Sequence, residues 1–256
     1  MPRALLSVYD KFGAVELGQG LAEEGWDLVS SGGTAKALRD AGLAVTDTAE
    51  LTGFPANLGH RVVTLHPKVH GGLLADRDDP EHRVDLAAHN IEPFDLVVAN
   101  LYPFEKEPGI ELIDIGGPTL VRAAAKNHAH VGVVVDPADY GVVLAEVRAE
   151  GGLSAATRRQ LAAKAFAAIA GYDAAIARWF LESADPEGAA PQAQPDSGSV
   201  AELPPSQHLT YWREPLALRY GENPHQQAAL YRAQGATPWW ATMSQHSGLA
   251  LSYLNI

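Results

Sequence analysis

The chain has 256 residues, of which 46% are hydrophobic and 20% charged, proportions that exclude a wholly disordered protein. Its formal net charge of −12 argues against nonspecific nucleic-acid binding, because neutralising phosphates requires a basic face. The absence of cysteine excludes disulfides, thiolate metal sites and thiol nucleophiles. We find no apolar stretch that suits a signal peptide or a membrane span, so we expect a soluble, cytoplasmic protein.

Strands alternate with helices through most of the chain. Short runs rich in Val and Leu predict buried strands, and the segments between them have helical periodicity. The predicted strands are 4–8, 26–29, 94–101 and 130–135, and the predicted helices are 13–24, the segment from Thr34 to Gly42, 118–128 and 154–183. This alternation predicts an α/β fold, with a mostly parallel sheet flanked by helices.

The composition changes after the last predicted helix. Residues 185–207 are rich in Pro, Ala, Gly, Gln and Ser and have no periodicity, which predicts a flexible linker. Residues 208–256 include a strand-like end at 249–254 but are too few for a core of their own. We therefore expect a domain at 1–184, a linker, and the truncated start of a second domain.

A candidate phosphate site follows the second predicted strand, at Ser31-Gly32-Gly33-Thr34. A strand that runs through glycines into a helix directs backbone N–H groups at one point, with the positive helix end behind them. The alternative is a helix cap in which the glycines serve only the turn. The segment matches neither the Walker nor the dinucleotide-binding pattern.

Two residues near the first strand belong to the same edge of the predicted sheet. Ligands of open α/β sheets bind beyond the carboxyl ends of the strands, which places Ser7 and Lys11 beside the Ser31 turn. Lys11 could therefore meet the same phosphate. The alternative is a solvated lysine, with Asp10 capping the next helix.

His66 and His70 have the i, i+4 spacing of helical metal ligands. Pro67 disfavours the helical conformation at His66, however, and no third ligand stands at a telling distance. We expect core or hydrogen-bonding histidines and no metal site.

A second glycine turn, Asp114-Ile115-Gly116-Gly117, opens an Ala-rich helix that also carries Lys126. Glycine amides at a helix start suit a developing oxyanion, and a partly desolvated lysine suits proton or charge transfer. The alternative for Lys126 is an exposed lysine whose stem lies along the surface.

Several motifs in this order resemble the AICAR transformylase/IMP cyclohydrolase family of purine biosynthesis. They are Ser7-Val8 with Asp10-Lys11, Ser31-Gly32-Gly33-Thr34-Ala35, Leu51-Thr52-Gly53-Phe54-Pro55, Thr64-Leu65-His66-Pro67, Asn100-Leu101-Tyr102-Pro103-Phe104, Ile113-Asp114-Ile115-Gly116-Gly117 and Arg122-Ala123-Ala124-Ala125-Lys126-Asn127-His128. The resemblance implies a methylglyoxal-synthase-like (Rossmann-like) cyclohydrolase domain over roughly 3–184. The segment 218–226 resembles the start of the transformylase domain.

The resemblance also implies a reaction and a set of site residues. The reaction is the dehydrating ring closure of 5-formamidoimidazole-4-carboxamide ribotide to inosine monophosphate, without a metal or redox cofactor. The implied phosphate ligands are Ser7, Lys11, Ser31, Gly32, Gly33 and Thr34. Arg61, Thr64, Asn100 and Tyr102 would line the base and ribose, with Tyr102 also near the chemistry. Asp114 and Lys126 would do the proton and charge work beside the Gly116 and Gly117 amides.

For the second domain, the resemblance implies partial AICAR binding by Arg219, Tyr220 and His225. The cofactor 10-formyltetrahydrofolate belongs only to the transformylase part, whose Lys-His pair the chain does not reach. We therefore expect no transformylase activity from this polypeptide. The family also implies a homodimer in the full-length protein, with a small ribonucleotide as substrate and no nucleic-acid or membrane partner.

The chain departs from the family at Val63, where the family usually has a lysine with a catalytic role. A neutral aliphatic side chain cannot donate to an oxyanion. Two alternatives to the cyclohydrolase therefore stay open. One is a nucleotide- or phosphate-binding regulatory module with weak or no turnover. The other is a methylglyoxal-synthase-like lyase, which the motifs at Asn100 and Asp114 disfavour.

Overall fold

The computed structural model describes residues 1–182, 211–218, 223, 225–233 and 238. The chain divides into two compact units, Met1–Ile176 and Ala177–Ile256. The predicted linker at 185–207 and the strand-like end at 249–254 lie outside the described residues. The proposed domain boundary at 184 stays a prediction.

The first unit is built on five parallel strands in the order β3-β2-β1-β4-β5. They are β1 (Arg3–Val8), β2 (Asp27–Ser30), β3 (Thr46–Asp47), β4 (Leu96–Asn100) and β5 (Gly132–Val134). β1 is central: residues 3–6 pair with 27–30 of β2, and residues 4–8 pair with 96–100 of β4. The predicted mostly parallel sheet is confirmed.

Eight α-helices and two short 3-10 helices (Ile110–Leu112 and Pro137–Asp139) occupy the described part of the chain. The α-helices are α1 (Ala14–Glu23), α2 (Gly32–Asp40), α3 (Thr48–Thr52), α4 (Pro67–Leu74), α5 (Pro80–Ala88), α6 (Gly116–Lys126), α7 (Tyr140–Glu150) and α8 (Ala155–Glu182). α1, α2, α6 and α8 confirm the sequence predictions, whereas β3, α3, α4, α5 and α7 were not predicted. β3 and α3 are too short for periodicity, and α5 buries no residue that would mark an apolar stripe.

The sheet separates two apolar cores because successive side chains along a strand point to opposite faces. Leu6 and Val98 pack in one core with residues of α1 and α7. Leu5 and Val97 pack in the other with residues of α4, α6 and α8. Helices thus cover both faces of the sheet, which leaves the strand ends as its accessible edges.

The second unit contains an antiparallel pair, β6 (Tyr211–Ala217) and β7 (Ala229–Ala233). Across both units, none of the helices among the described residues is long and apolar enough to cross a membrane.

Two buried hydroxyls attach the β2–α2 segment to β1. Thr34 Oγ1 donates to the Val8 carbonyl at 2.9 Å and accepts from the Val8 amide at 3.2 Å. Ser30 Oγ donates to the Leu6 carbonyl at 2.7 Å. These bonds fix the start of α2 against the end of β1.

We expect Thr34→Val to destabilise the first unit by about 1–3 kcal/mol, because it leaves the buried Val8 amide and carbonyl without their partner. The shape of the side chain is kept, so packing is little changed. Urea denaturation of the full chain measures the effect. Ser31→Ala is the matched control, since the Ser31 hydroxyl makes no capping hydrogen bond. Equal stability of the two variants would contradict this role for Thr34.

Candidate functional site

A cavity of about 940 Å³ opens at the carboxyl ends of β1, β2, β3 and β4. It lies where the strand order reverses, since β2 and β4 flank β1 on opposite sides. The residues contributed by the strand ends are Ser7, Val8, Tyr9 and Lys11 after β1, Ser31, Gly32, Gly33 and Thr34 after β2, Asp47, Thr48 and Ala49 at β3, and Asn100 and Tyr102 after β4. The remaining wall comes from segments 56–65 and 110–117.

The part of the cavity wall formed by the start of α2 and by Lys11 has the features of an anion-binding site. The first N–H groups of a helix have no intrahelical acceptor, so the amides of Gly32, Gly33 and Thr34 are donors at the positive end of α2. The Lys11 side chain lies over this turn: a Cβ on Gly33 would stand 3.6 Å from Lys11 Nζ. Lys11 Nζ also donates to the Tyr9 carbonyl at 3.0 Å. An ammonium and a helix start converge here, as in phosphate sites.

Thr34, one of the implied phosphate ligands, already uses its hydroxyl within the protein. The Thr34 hydroxyl hydrogen is already donated to the Val8 carbonyl, so only the Thr34 backbone amide is available to a ligand. Ser31 keeps an uncommitted hydroxyl at the N-cap position of α2. Ser7 is partly exposed and lines the same cavity.

Asn100 lines the cavity but is committed to the loop after β1. Its Oδ1 accepts from the Tyr9 amide at 2.6 Å and the Asp10 amide at 3.0 Å. Its Nδ2 donates to the Asp10 carbonyl at 2.7 Å. Asn100 thus positions the loop that carries Lys11, and its expected contact with the base or ribose stays a prediction.

The cavity wall also holds a half-buried carboxylate, Asp114, on the turn that begins α6. Asp114 Oδ1 accepts from the Gly117 amide at 2.9 Å. A Cβ on Gly117 would collide with Asp114 Oδ2, which explains the glycine. Burial raises the pKa of Asp114, although hydrogen bonds from the Gly117 and Gly116 amides oppose the rise. These amides hold Asp114, and the expectation that they meet a substrate oxyanion stays a prediction.

Tyr102 lies close enough to Asp114 for the carboxylate charge to affect the pKa of the tyrosine. Burial raises the pKa of Tyr102, and the negative charges of Asp114 and Tyr9 raise it further. The rings of Tyr9 and Tyr102 meet edge to face, with centroids 5.1 Å apart. A tyrosine with a raised pKa keeps its proton at neutral pH, so Tyr102 is available as a hydrogen-bond donor.

An irregular loop forms part of the cavity wall. Leu58, Gly59 and His60 have φ values of 49°, 64° and 69°, a left-handed conformation that is unusual for Leu and His. His60 lines the cavity, which sequence analysis missed because nothing in its pattern marks a strained position. Asp47 and Thr48 were missed as well, since β3 is only two residues long.

Val63 lines the cavity where the family resemblance calls for a lysine, and Thr64 lies buried next to it. Lys68, the nearest lysine in sequence, donates to the Leu51 carbonyl at 3.4 Å and is absent from the cavity wall. Arg61 lines the rim, paired with Glu111. Lys68 therefore does not replace the missing cation.

The structure does not bring Lys126 into the cavity. Asp114 precedes the start of α6, whereas Lys126 is its last residue, about 15 Å further along at 1.5 Å per residue. Lys126 is exposed and does not line the cavity. Its neighbour Asn127 donates to the carbonyls of Leu73 and Ala75 at 2.8 and 2.9 Å, which caps the end of α4.

His66 is a hydrogen-bonding residue, as predicted: its Nδ1 accepts from the Lys68 amide at 3.1 Å and caps α4. Burial lowers the pKa of His70. A different trio, Asp76, Asp78 and His130, has ligand atoms within 4.8 Å of one another. His130 Nε2 lies 3.0 Å from Asp76 Oδ1, so a hydrogen bond between the two side chains accounts for their close approach.

Two of the three candidate residues of the second domain lie outside the residues that the structure describes. Arg219 and Tyr220 are not among the described residues, and His225 is exposed. Their expected contact with AICAR stays a prediction.

Comparison with known proteins identifies the family to which the chain is similar. A model of the AICARFT/IMPCHase bienzyme family matches residues 124–256, and a model of the MGS-like domain matches residues 13–128. The bifunctional purine biosynthesis protein PurH of Mesorhizobium japonicum is 49% identical over 263 residues, which cover 99% of this chain and 46% of that protein. PurH of Mycobacterium ulcerans is 50% identical over 261 residues, which cover 99% and 48%.

The chain thus spans about half the length of the curated relatives it matches. Among solved structures, the crystal structure of ForH is 37% identical with a TM-score of 0.67, covering 72% of this chain and 99% of ForH. The α/β sheet of the first unit is accordingly an MGS-like fold. With half its residues identical to PurH proteins along nearly its whole length, the chain belongs to the AICARFT/IMPCHase bienzyme family.

Proposed function

We propose that this chain is an IMP cyclohydrolase, which closes 5-formamidoimidazole-4-carboxamide ribotide to inosine monophosphate. The observation that carries the proposal is one cavity whose wall holds both an anion site and a half-buried carboxylate. A ribonucleotide offers the matching groups, a phosphate for the anion site and a heterocycle for the carboxylate. Membership of the bienzyme family supports this choice among nucleotide reactions.

The phosphate would bind the amides of Gly32, Gly33 and Thr34, the Ser31 hydroxyl and the Lys11 ammonium. The helix end and Lys11 together supply the positive charge that a phosphate dianion requires. Arg61 and Thr64 lie along the wall toward Asp114, where the ribose and base would follow.

In the reaction, the carboxamide nitrogen bonds to the formyl carbon. The formyl oxygen leaves as water, taking one proton from the carboxamide nitrogen and one from the formamide nitrogen. We assign proton acceptance to Asp114, whose raised pKa brings it nearer the working pH than an ordinary carboxylate. We assign proton donation toward the departing oxygen to Tyr102, whose raised pKa keeps its hydroxyl protonated.

Lys126 stays outside this proposed machinery because it is exposed at the far end of α6. Asn100 acts through the loop that carries Lys11, and the Gly117 amide acts through Asp114. We propose no transformylase chemistry for residues 177–256.

The direct test is incubation of the full chain with the formylated ribotide, followed by ultraviolet spectroscopy for inosine monophosphate. Ring closure supports the cyclohydrolase. Nucleotide binding without turnover would indicate a regulatory module instead. Conversion of a triose phosphate to methylglyoxal, with no ring closure, would indicate the lyase.

Lys11→Met tests the anion site. We expect inosine monophosphate to bind about ten- to a hundredfold more weakly, because a charge-assisted contact to the phosphate is lost. Binding of inosine, which has no phosphate, should be unaffected. Isothermal titration of both ligands measures the difference. The control is Lys36→Met, which removes an exposed lysine of α2 that pairs with Asp40. A phosphate-independent loss at Lys11 would refute the site.

Asp114→Asn tests the proton acceptor. We expect turnover to fall about 10²- to 10⁴-fold, since the amide cannot accept the proton. Asp85→Asn, at an exposed carboxylate of α5, is the control for the loss of one negative charge. Full turnover in a folded Asp114→Asn protein would exclude this role.

The same variant makes a prediction about stability. The folded pKa of Asp114 lies above its ordinary value of 3.8, so the folded protein holds the proton more tightly than the unfolded chain. This stabilisation is present below the ordinary value and is lost as pH rises through the folded pKa. Wild type should therefore lose stability relative to Asp114→Asn as the pH rises above about 4 toward the folded pKa, which urea denaturation over a pH series measures. A pH-independent difference would contradict the raised pKa.

Val63→Lys tests the departure from the family. A cation close to the developing negative charge should raise kcat with little change in KM, because such a contact strengthens in the transition state. Val62→Lys is the control, since Val62 does not line the cavity. Thermal unfolding of both variants checks for destabilisation by a buried lysine. Unchanged kcat in a folded Val63→Lys protein would mean that this position has no catalytic role here.

A further inference from the structure

A tyrosine from a distant helix is hydrogen-bonded to the backbone beside the half-buried carboxylate. Tyr172, on α8, is 9% exposed. Its hydroxyl accepts from the Asp114 amide at 2.7 Å and donates to the Leu112 carbonyl at 2.8 Å. Both bonds join residues about 60 positions apart in sequence, so no local turn chemistry provides them. Tyr172 does not itself line the cavity.

The ring of the same tyrosine contacts the segment that carries Tyr102. Tyr172 and Phe104 meet edge to face, with centroids 6.2 Å apart and an interplanar angle of 71°. Phe104 is 2% exposed and lies two residues after Tyr102. One side chain of α8 therefore braces both loops that carry the proposed proton-transfer groups.

We propose that Tyr172 is a positioning residue, whose hydroxyl fixes the 112–114 backbone so that the Asp114 carboxylate is held between the Gly117 amide and the cavity. The role of Asp114 in ring closure rests on the proposed function, whereas the anchoring of the turn does not. Asp114 follows a 3-10 helix that ends at Leu112 and precedes α6, so its backbone lies between two helical ends. In that position a donor and an acceptor need partners from elsewhere in the fold.

Loss of the hydroxyl leaves the Asp114 amide and the Leu112 carbonyl unpaired, so the turn gains freedom and the carboxylate gains water. Burial is the main cause of the raised pKa of Asp114, and greater hydration would lower it toward the ordinary value. The titratable groups that face this site are Tyr102, Tyr172 with its neighbour Asp173, and the Arg61–Glu111 pair at the rim. The Phe variant removes only the hydroxyl of Tyr172 and leaves Tyr102, Asp173, Arg61 and Glu111 in place.

The test is Tyr172→Phe in the full chain, which keeps the ring against Phe104. We expect kcat to fall about 10- to 100-fold, because small displacements of a catalytic group have effects of that size. KM should stay within about twofold, since the phosphate site is untouched, and the acidic limb of the kcat–pH profile should move to lower pH. Tyr140→Phe is the control: Tyr140 is similarly buried but belongs to the core on the other face of the sheet.

A second measurement does not depend on activity. Hydrogen–deuterium exchange at the Asp114 amide should quicken at least tenfold in Tyr172→Phe and stay unchanged in Tyr140→Phe. Quick exchange with a lowered kcat and a displaced pH profile supports the proposal. Unchanged exchange, or a lowered kcat with an unmoved pH profile, overturns it. If wild type closes no ring, the proposed function fails, and exchange alone decides whether Tyr172 anchors the turn.

Discussion

The carboxyl end of β1 is the constraint on which the cavity depends. A central strand of a parallel sheet ends in backbone groups that its neighbours no longer pair, and buried groups of this kind need partners. Here Thr34 from α2 and Asn100 from β4 supply them, at Val8 and at the Tyr9–Asp10 backbone. The loop that carries Lys11 is therefore set by its two flanking elements. The anion site is a consequence of this bonding, because it forms where the fixed loop meets the start of α2.

Two opposing effects act on the carboxylate of Asp114 in the cavity wall. Burying a carboxylate disfavours its charged form, and amide donors at a helix start favour it. At Asp114 burial has the larger effect, so the pKa rises even though the Gly117 amide stays bonded to the carboxylate. The turn thus restrains the group in space without fixing it as a permanent anion. A residue held in this way is suited to exchange a proton.

The sequence predicted which residues lie at the carboxyl edge of the sheet, but not how their side chains are hydrogen-bonded there. The strand ends follow from apolar runs, so Ser7, Ser31 and Asn100 were predictable at one edge of the sheet. The hydrogen bonds that Thr34 and Asn100 make to the backbone could not be predicted, because they depend on which backbone groups lack partners after folding. The position of Lys126 was accessible in principle: a helix that starts at Gly116 carries its last residue about 15 Å away. The role predicted for Lys126 followed the resemblance to the family and took no account of this distance. Tyr172 had no sequence signal, since a buried tyrosine in a long amphipathic helix is indistinguishable from a core residue.

The valine at position 63 and the raised pKa of Asp114 are physically connected. Lys11 lies over the α2 turn, and Arg61 is already paired with Glu111. Among the described residues that line the cavity, no lysine or arginine contributes to the pKa of Asp114, which burial therefore dominates. A lysine at 63 would stabilise the carboxylate and lower that pKa, because an opposite charge nearby favours the ionised form. Such a cation would stabilise negative charge on the substrate and would keep Asp114 ionised, and so able to accept a proton, down to a lower pH. With valine in this position neither effect is supplied, and proton acceptance depends on the environment that burial gives Asp114.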